Sequence, residues 1–328
     1  LAIACGFSLL LRDRRPAALT GLAALGFSLL VMVLTLTPAL LFAAENGKKC
    51  CIIRVPAMFP AEKFANGEIQ SGLGVPDLRG TTGTYQFYTT ENRTGSEGDD
   101  TEKGGKIEQV AFVHGETTAA IWGPRNKLYD SGPSDIKIPL RIKIDRKTTP
   151  PTVTVTASGS TLTLKEGEWS HWVRLKFPFN PFIAVQGIAR FHLASTEPFG
   201  LYISPINIDP EKPVIPVSAP AKFSAWLAGK FGLFKTLGWE NDTFALDENV
   251  IDEKAFLADV KFSVDTWIPM MDHLLTDPGL DLYVQVYDFT DRVGHMFWRT
   301  IDPTHPAADS LADAPYKNVM LDTYKRMD

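Results

Sequence analysis

Asp281-Leu-Tyr-Val-Gln-Val-Tyr-Asp-Phe289 runs directly into Thr290-Asp-Arg-Val-Gly-His-Met-Phe-Trp-Arg299, and the join between them decides the fold class. Four of the five central residues of the first stretch, Tyr283 to Tyr287, are apolar or aromatic. That composition suits a strand buried in an α/β sheet. In open sheets of that class ligands bind beyond the carboxyl ends of the strands, so the residues after Phe289 are where chemistry is expected. Asp291 and His295 stand there four apart, which in a helical turn puts both side chains on one face. A carboxylate oxygen and an imidazole nitrogen so placed reach one Zn²⁺ at about 2.0–2.2 Å. By itself this spacing is a weak signal, and spacing alone favours a capping Asp beside a structural His.

Working outward, 221–234 and 252–275 read as helices, the second with Phe256, Val260, Val264 and Trp267 on one face. A further helix is expected over about 307–327. The Pro-rich stretch 206–220 reads as an extended linker. From Ile107 to about Ile208 the signal is β: Ile136 to Ile144 alternates apolar and polar, as do Thr152–Thr156, Leu162–Leu164 and Trp172–Phe177. Asp130 to Pro133, Ser158-Gly159 and Glu166 to Glu168 supply turns. Half-buried antiparallel strands give this pattern. Nearer the start, Cys51 to Val55 and Tyr85 to Thr90 read as short strands, and the Gly-rich 67–83 and the polar 91–106 as loops.

The first 44 residues have a different character. Ala17 to Ala44 is almost wholly apolar, and about 20 such residues cross a bilayer as a helix. Arg12, Arg14 and Arg15 precede it, which places that side in the cytoplasm and the rest of the chain outside it, in the periplasm or the extracellular space. A cleavable signal peptide is the competing reading. The formal net charge of -5 gives no case for a nucleic-acid-binding face. The cysteines, Cys5 and the neighbours Cys50 and Cys51, form no disulfide framework and no zinc site.

Phe289 to Arg299, followed by Asp302-Pro-Thr-His-Pro306, resembles a motif of predicted phosphohydrolases in the alkaline phosphatase superfamily, relatives of the type I phosphodiesterase and nucleotide pyrophosphatase group. Similar matches are Arg54 to Pro60, Gly72 to Gly80 with Gly83 to Tyr85, Tyr202 to Pro210, and Tyr324 to Asp328. The resemblance covers about 45–328. It implies hydrolysis of phosphomonoesters or phosphodiesters by two divalent ions, zinc or manganese, that clamp the phosphoryl group and activate a Ser or Thr nucleophile. It assigns Asp291 and His295 to one metal. Asp77 and Arg79 are placed as substrate-binding candidates, Arg being suited to phosphate, or as a loop-internal pair. Arg292 and Arg299 flank the metal motif and either meet a phosphoryl oxygen or form ordinary ion pairs.

The departures from the family's pattern are as informative. No matching Asp-Gly strand or nucleophile turn is readable, so the catalytic nucleophile is unknown. The later Asp-His-Gly and a further His are missing as well. Asp272-His273 stands in an amphipathic helix and reads as a solvated face. Starting on Leu1 and closing on Asp328 without a turn signal, the chain reads as truncated at both ends.

The expected architecture is therefore α/β: an alkaline-phosphatase-like sheet core with helices, an antiparallel β insertion and an N-terminal transmembrane helix. Its parts are a membrane segment at 1–44, an incomplete first part of the core at 45–99, the insertion at 100–208 and the metal-bearing part at 209–328. Two other readings stay open, a non-catalytic remnant or envelope binding domain and a phosphoglycerate-mutase-like phosphotransferase.

Overall fold

The computed structural model describes residues 42–43, 45–56, 58–63, 65–93, 104–126, 134–308 and 314–326. Its contacts group into two units. A parallel-sheet unit holds the described residues up to Gly74, Pro216–Ser224 and the described residues from Trp267 onward. A β-rich unit holds Val75–Ile215 and Ala225–Thr266.

The parallel-sheet unit opens with β1 (Cys50–Ile53) and β2 (Gly67–Gln70). The chain then supplies, within the β-rich unit, β3 (Gln86–Thr89), β4 (Lys106–Gln109), β5 (Glu116–Arg125), β6 (Asp135–Asp145), β7 (Thr152–Ala157) and β8 (Ser160–Lys165). Next come β9 (Val173–Pro178), β10 (Ala184–Ala189), β11 (Phe191–Thr196), β12 (Phe199–Ile203) and β13 (Asn207–Ile208). Afterwards come β14 (Ser218–Ala219), α1 (Lys222–Phe231), α2 (Thr243–Asp247), α3 (Glu253–Leu274), β15 (Leu282–Gln285), α4 (Phe289–Phe297) and α5 (Val319–Lys325).

Strand period decides the β-rich unit. In β6 the residues Ile136, Ile138, Leu140, Ile142 and Ile144 are buried, while Lys137, Arg141 and Lys143 between them face water. An alternating strand hides one face only, so β5-β6-β7-β8 assemble as an antiparallel meander. The Ser158-Gly159 turn closes β7 onto β8 with both residues at positive φ, 49° and 80°, the backbone that two-residue hairpin loops favour. A second sheet has the order β11-β12-β3-β4, and a third the order β13-β10-β9.

In the parallel-sheet unit the order is β14-β2-β1-β15. β1 pairs in parallel with both β2 and β15, and β14 adds an antiparallel edge to β2. Ile52, Val55, Met58, Ile69 and Ala219 form its core, with Leu282, Val284 and Val286 packed on them.

Several expectations need correction. A single alkaline-phosphatase-like sheet core is not what the strands build. The fold is mixed α/β, with the strands of the described residues divided among four separate sheets of three or four strands. Among the described residues the paired strands of 116–208 run antiparallel to each other, β3 and β4 form a parallel pair, and β1, β2 and β15 form a parallel run of three.

The expected membrane anchor falls on residues outside the described ones; among the described residues no helix is long and apolar enough to span a membrane. The longest described helix, α3, has 22 residues, but Lys254, Lys261, Asp265 and Asp272 line its exposed face and Asp259 is a charge on its buried side. The apolar run 17–44 lies outside the described residues, apart from Phe42 and Ala43, and so do Cys5, Arg12, Arg14 and Arg15.

Other differences are local. Among the described residues β15 is an edge strand bonded to β1 alone, and all four of its residues are only half-buried. Part of the Gly-rich 67–83 is strand β2, because pairing with β1 overrides its weak local signal. By contacts the described residues divide after Gly74, and 225–266 groups with the β-rich unit. Of the expected helix at 307–327, the described residues hold a 3₁₀ turn, Ala314–Tyr316, and α5.

Candidate functional site

The three parallel strands end together. β1 passes into Arg54, β2 into Ser71, and β15 through Val286-Tyr-Asp288 into α4. This is the end of a parallel sheet at which ligands are expected. In the last paired row Ile53 is flanked by Gln70 and Gln285. Gln70 Oε1 and Gln285 Nε2 are buried without a protein hydrogen-bond partner, the kind of group that water or a ligand satisfies.

α4 starts at Phe289 because the strand's apolar residues give way to a 3.6-residue pattern. Phe289, Val293 and Phe297 turn inward, and Asp291 stands in the first turn, where the helix dipole favours a carboxylate. Phe297 packs against Tyr316 with ring centroids 5.7 Å apart. The opposite face carries Asp291 and His295, whose side chains are 42% and 55% exposed. Asp291 Oδ1 and His295 Nε2 lie 3.4 Å apart. That is long for a hydrogen bond, which runs to about 3.2 Å. It equals the separation of two ligands each about 2.1 Å from a tetrahedral ion, roughly 3.4 Å. The pair therefore fits a divalent cation. Among the described residues no group of three or more His, Cys, Asp or Glu is placed to hold an ion, so the fit is that of two ligands.

Of the other site candidates, Arg292 is brought to the pair: its Nη1 is 3.5 Å from Asp291 Oδ2, with the side chain only 5% exposed. Arg299 lies in the 3₁₀ turn that follows, Trp298–Thr300. Asp272 and His273 are in the last turns of α3, and His305 accepts from the backbone of Ala307 at 3.1 Å.

Asp77 and Arg79 belong to the other unit and are committed internally. Asp77 accepts from the backbone N–H groups of Arg79, Thr81 and Thr84 at 2.9 Å each, and from the Thr81 hydroxyl at 2.7 Å. Burial pushes its carboxyl above the usual range, against these bonds. Arg79 donates to Gly123 O at 2.7 Å and to Asp135 at 2.9 Å. Asp77 closes its own loop, and Arg79 ties that loop to β5 and β6.

Two buried charge clusters were not foreseen. In the parallel-sheet unit Arg54, 1% exposed, pairs with Asp288. In the β-rich unit Asp259 accepts from Arg190 at 3.3 Å, Lys235 at 2.6 Å and Asn241 at 2.9 Å. The Arg190 guanidinium lies over the rings of Trp169 and Phe262, 4.8 and 4.0 Å from their centroids. Trp169, Trp172, Trp239, Arg190, Glu240 and Asp242 are among the residues lining a cavity of about 20 Å³ there, room for a water molecule and not for an organic ligand. The signal for both clusters was a charged residue set inside apolar sequence, Cys-Cys-Ile-Ile-Arg54 and Gly-Ile-Ala-Arg190-Phe.

No protein-family model, curated protein or solved structure matches the chain.

Proposed function

We propose that this chain carries a divalent-metal site for phosphoester hydrolysis, with Asp291 and His295 as two ligands of one ion. The observation that carries the reading is the 3.4 Å approach of Asp291 Oδ1 to His295 Nε2 on an open helix face just beyond a parallel strand. The resemblance of Phe289 to Arg299 to phosphohydrolases of the alkaline phosphatase superfamily supports the reaction class, with zinc or manganese as the ions. A bound ion there supplies a Lewis acid for phosphoryl oxygens. The chain's own contribution is to fix a carboxylate and an imidazole on one helix face. Arg292, beside Asp291, adds positive charge that favours an anionic substrate.

The test is a metal titration of the full chain with Zn²⁺ and Mn²⁺, together with hydrolysis of p-nitrophenyl phosphate and bis-p-nitrophenyl phosphate. Asp291→Ala and His295→Ala are expected to lose one metal equivalent. Unchanged metal content in both variants would falsify the site.

A further inference from the structure

Arg54 occupies a position that ordinary sequence does not choose. It follows β1 with φ at 59°, a left-handed backbone costly for a residue with a Cβ. Its backbone N–H donates to Gln70 O at 2.8 Å. Gly72 passes so close that a Cβ there would lie 2.4 Å from Arg54 Cα, so only glycine allows the approach. The side chain is buried, its guanidinium 5.3 Å from the Trp267 ring centroid. Nη2 reaches both carboxylate oxygens of Asp288, at 3.3 and 3.2 Å. Asp288 is 4% exposed and stands immediately before α4. Its carbonyl accepts from Arg292 N at 3.0 Å, which forms the first turn of that helix.

A buried ion pair is weak evidence for stability, because desolvation offsets the attraction. Something other than stability has to account for a strained, fully buried arginine at this strand exit. We propose that Arg54 and Asp288 are positioning residues: their ion pair fixes the first turn of α4 to the end of β1 and so sets the direction in which Asp291 and His295 face. This rests on the metal-ligand role proposed above. Outer groups that orient metal ligands commonly change metal affinity about 10–100-fold when removed.

The test uses the full chain and Co²⁺ alone, read by its visible absorption and by titration. The proteins compared are the native chain, Asp291→Ala, Arg54→Lys and the double variant Arg54→Met/Asp288→Asn. The double variant removes both charges together, so no unpaired ion is left inside. Expected is a native near-ultraviolet circular dichroism spectrum in the double variant, with Co²⁺ affinity at least about ten-fold weaker and a shifted absorption band. Arg54→Lys, which keeps the charge, should fall between it and the native chain.

If the native chain takes up no Co²⁺, the metal site and the positioning role fall together. If the native chain binds and Asp291→Ala does not, while the folded double variant matches the native affinity and spectrum, the positioning role alone is overturned. Should the double variant fail to fold, Arg54→Lys decides: a folded protein with unchanged affinity overturns the role, and weakened affinity supports it.

Discussion

Tyr202 donates its phenolic hydrogen to Asp242 at 2.7 Å, with both side chains almost wholly buried. Asp242 also caps α2 by accepting from Ala245 N at 3.0 Å. Burial, against these two bonds, pushes its carboxyl up to about 6. Nearby, burial pushes the imidazole of His192 down to about 4. The two groups act in opposite directions on stability. Asp242 holds its proton in the folded state to higher pH than in the unfolded chain, so its contribution falls as pH rises from about 4 to about 6. His192 resists protonation when folded, so its contribution falls as pH drops from about 6.5 to about 4. Each shift of two units or so corresponds to about 3 kcal/mol, and between pH 4 and 6 they largely cancel.

Asp242→Asn should unmask the histidine. Relative to the native chain, its stability in urea should drop more steeply on acidification from pH 6 to 4. His192→Gln should do the reverse and gain stability over the same range. Curves parallel to the native one in both variants would show that neither group titrates as its burial requires.

Arg79→Ala should destabilise the β-rich unit by about 3–5 kcal/mol, the usual cost of breaking one side of a buried ion pair. It removes the donors to Gly123 O and to Asp135, whose carboxylate side chain is 14% exposed. Arg79→Lys should recover part of that loss, since one ammonium does not reproduce a guanidinium fork. Metal uptake, measured alongside, should be native in both. A fully stable Arg79→Ala with weakened binding of inorganic phosphate would return this arginine to substrate recognition.

Much of the fold was legible. The period-two alternation of Ile136 to Ile144 led directly to β6, and the spacing of Phe256, Val260, Val264 and Trp267 to α3. Asp291 and His295 were placed on one helix face by their offset alone, and their side chains do meet. Other features depend on long-range partners that periodicity does not report. β2 is a strand because β1 lies beside it, although Gly67-Glu-Ile-Gln70 holds a single apolar side chain. β15 reads as buried but is an edge, since composition records what a strand tolerates and not how many neighbours it has. The Arg54–Asp288 and Asp259 clusters join residues far apart in sequence, and nothing local marks one charge as the other's partner.

Gly123→Ala and Gly159→Ala should both destabilise, for different reasons. A Cβ on Gly123 would lie 2.1 Å from the ring of Phe177, which is wholly buried. Such overpacking costs about 1–3 kcal/mol. A Cβ on Gly159 meets open space, but its φ of 80° is left-handed, worth roughly 1–2 kcal/mol against a non-glycine residue. Adding Phe177→Leu should recover part of the Gly123→Ala loss in thermal unfolding and none of the Gly159→Ala loss. Equal recovery in both backgrounds would contradict the ring contact as the cause.

Asp259 is the acceptor shared by Arg190, Lys235 and Asn241, and sharing makes its removal unlike the removal of any donor. In Asp259→Asn two buried cations lose their counter-charge at once. Burial already disfavours the Arg190 cation, and Asp259 is the charge that opposes this. In Lys235→Met the carboxylate keeps Arg190, and in Arg190→Met it keeps Lys235. Breaking a buried pair from one side costs about 3–5 kcal/mol, so Asp259→Asn should reach or exceed that range and each cation variant should cost less. The Asp259→Asn/Lys235→Met double variant should be more stable than the sum of the two single losses, because it removes a cation that the first change stranded. A urea-unfolding cycle over these four proteins measures that coupling. Strict additivity would mean that Lys235 draws its stability from the Ser263 hydroxyl at 3.0 Å and the Asp259 carbonyl at 3.4 Å, and that the carboxylate is not what holds the ammonium inside the protein.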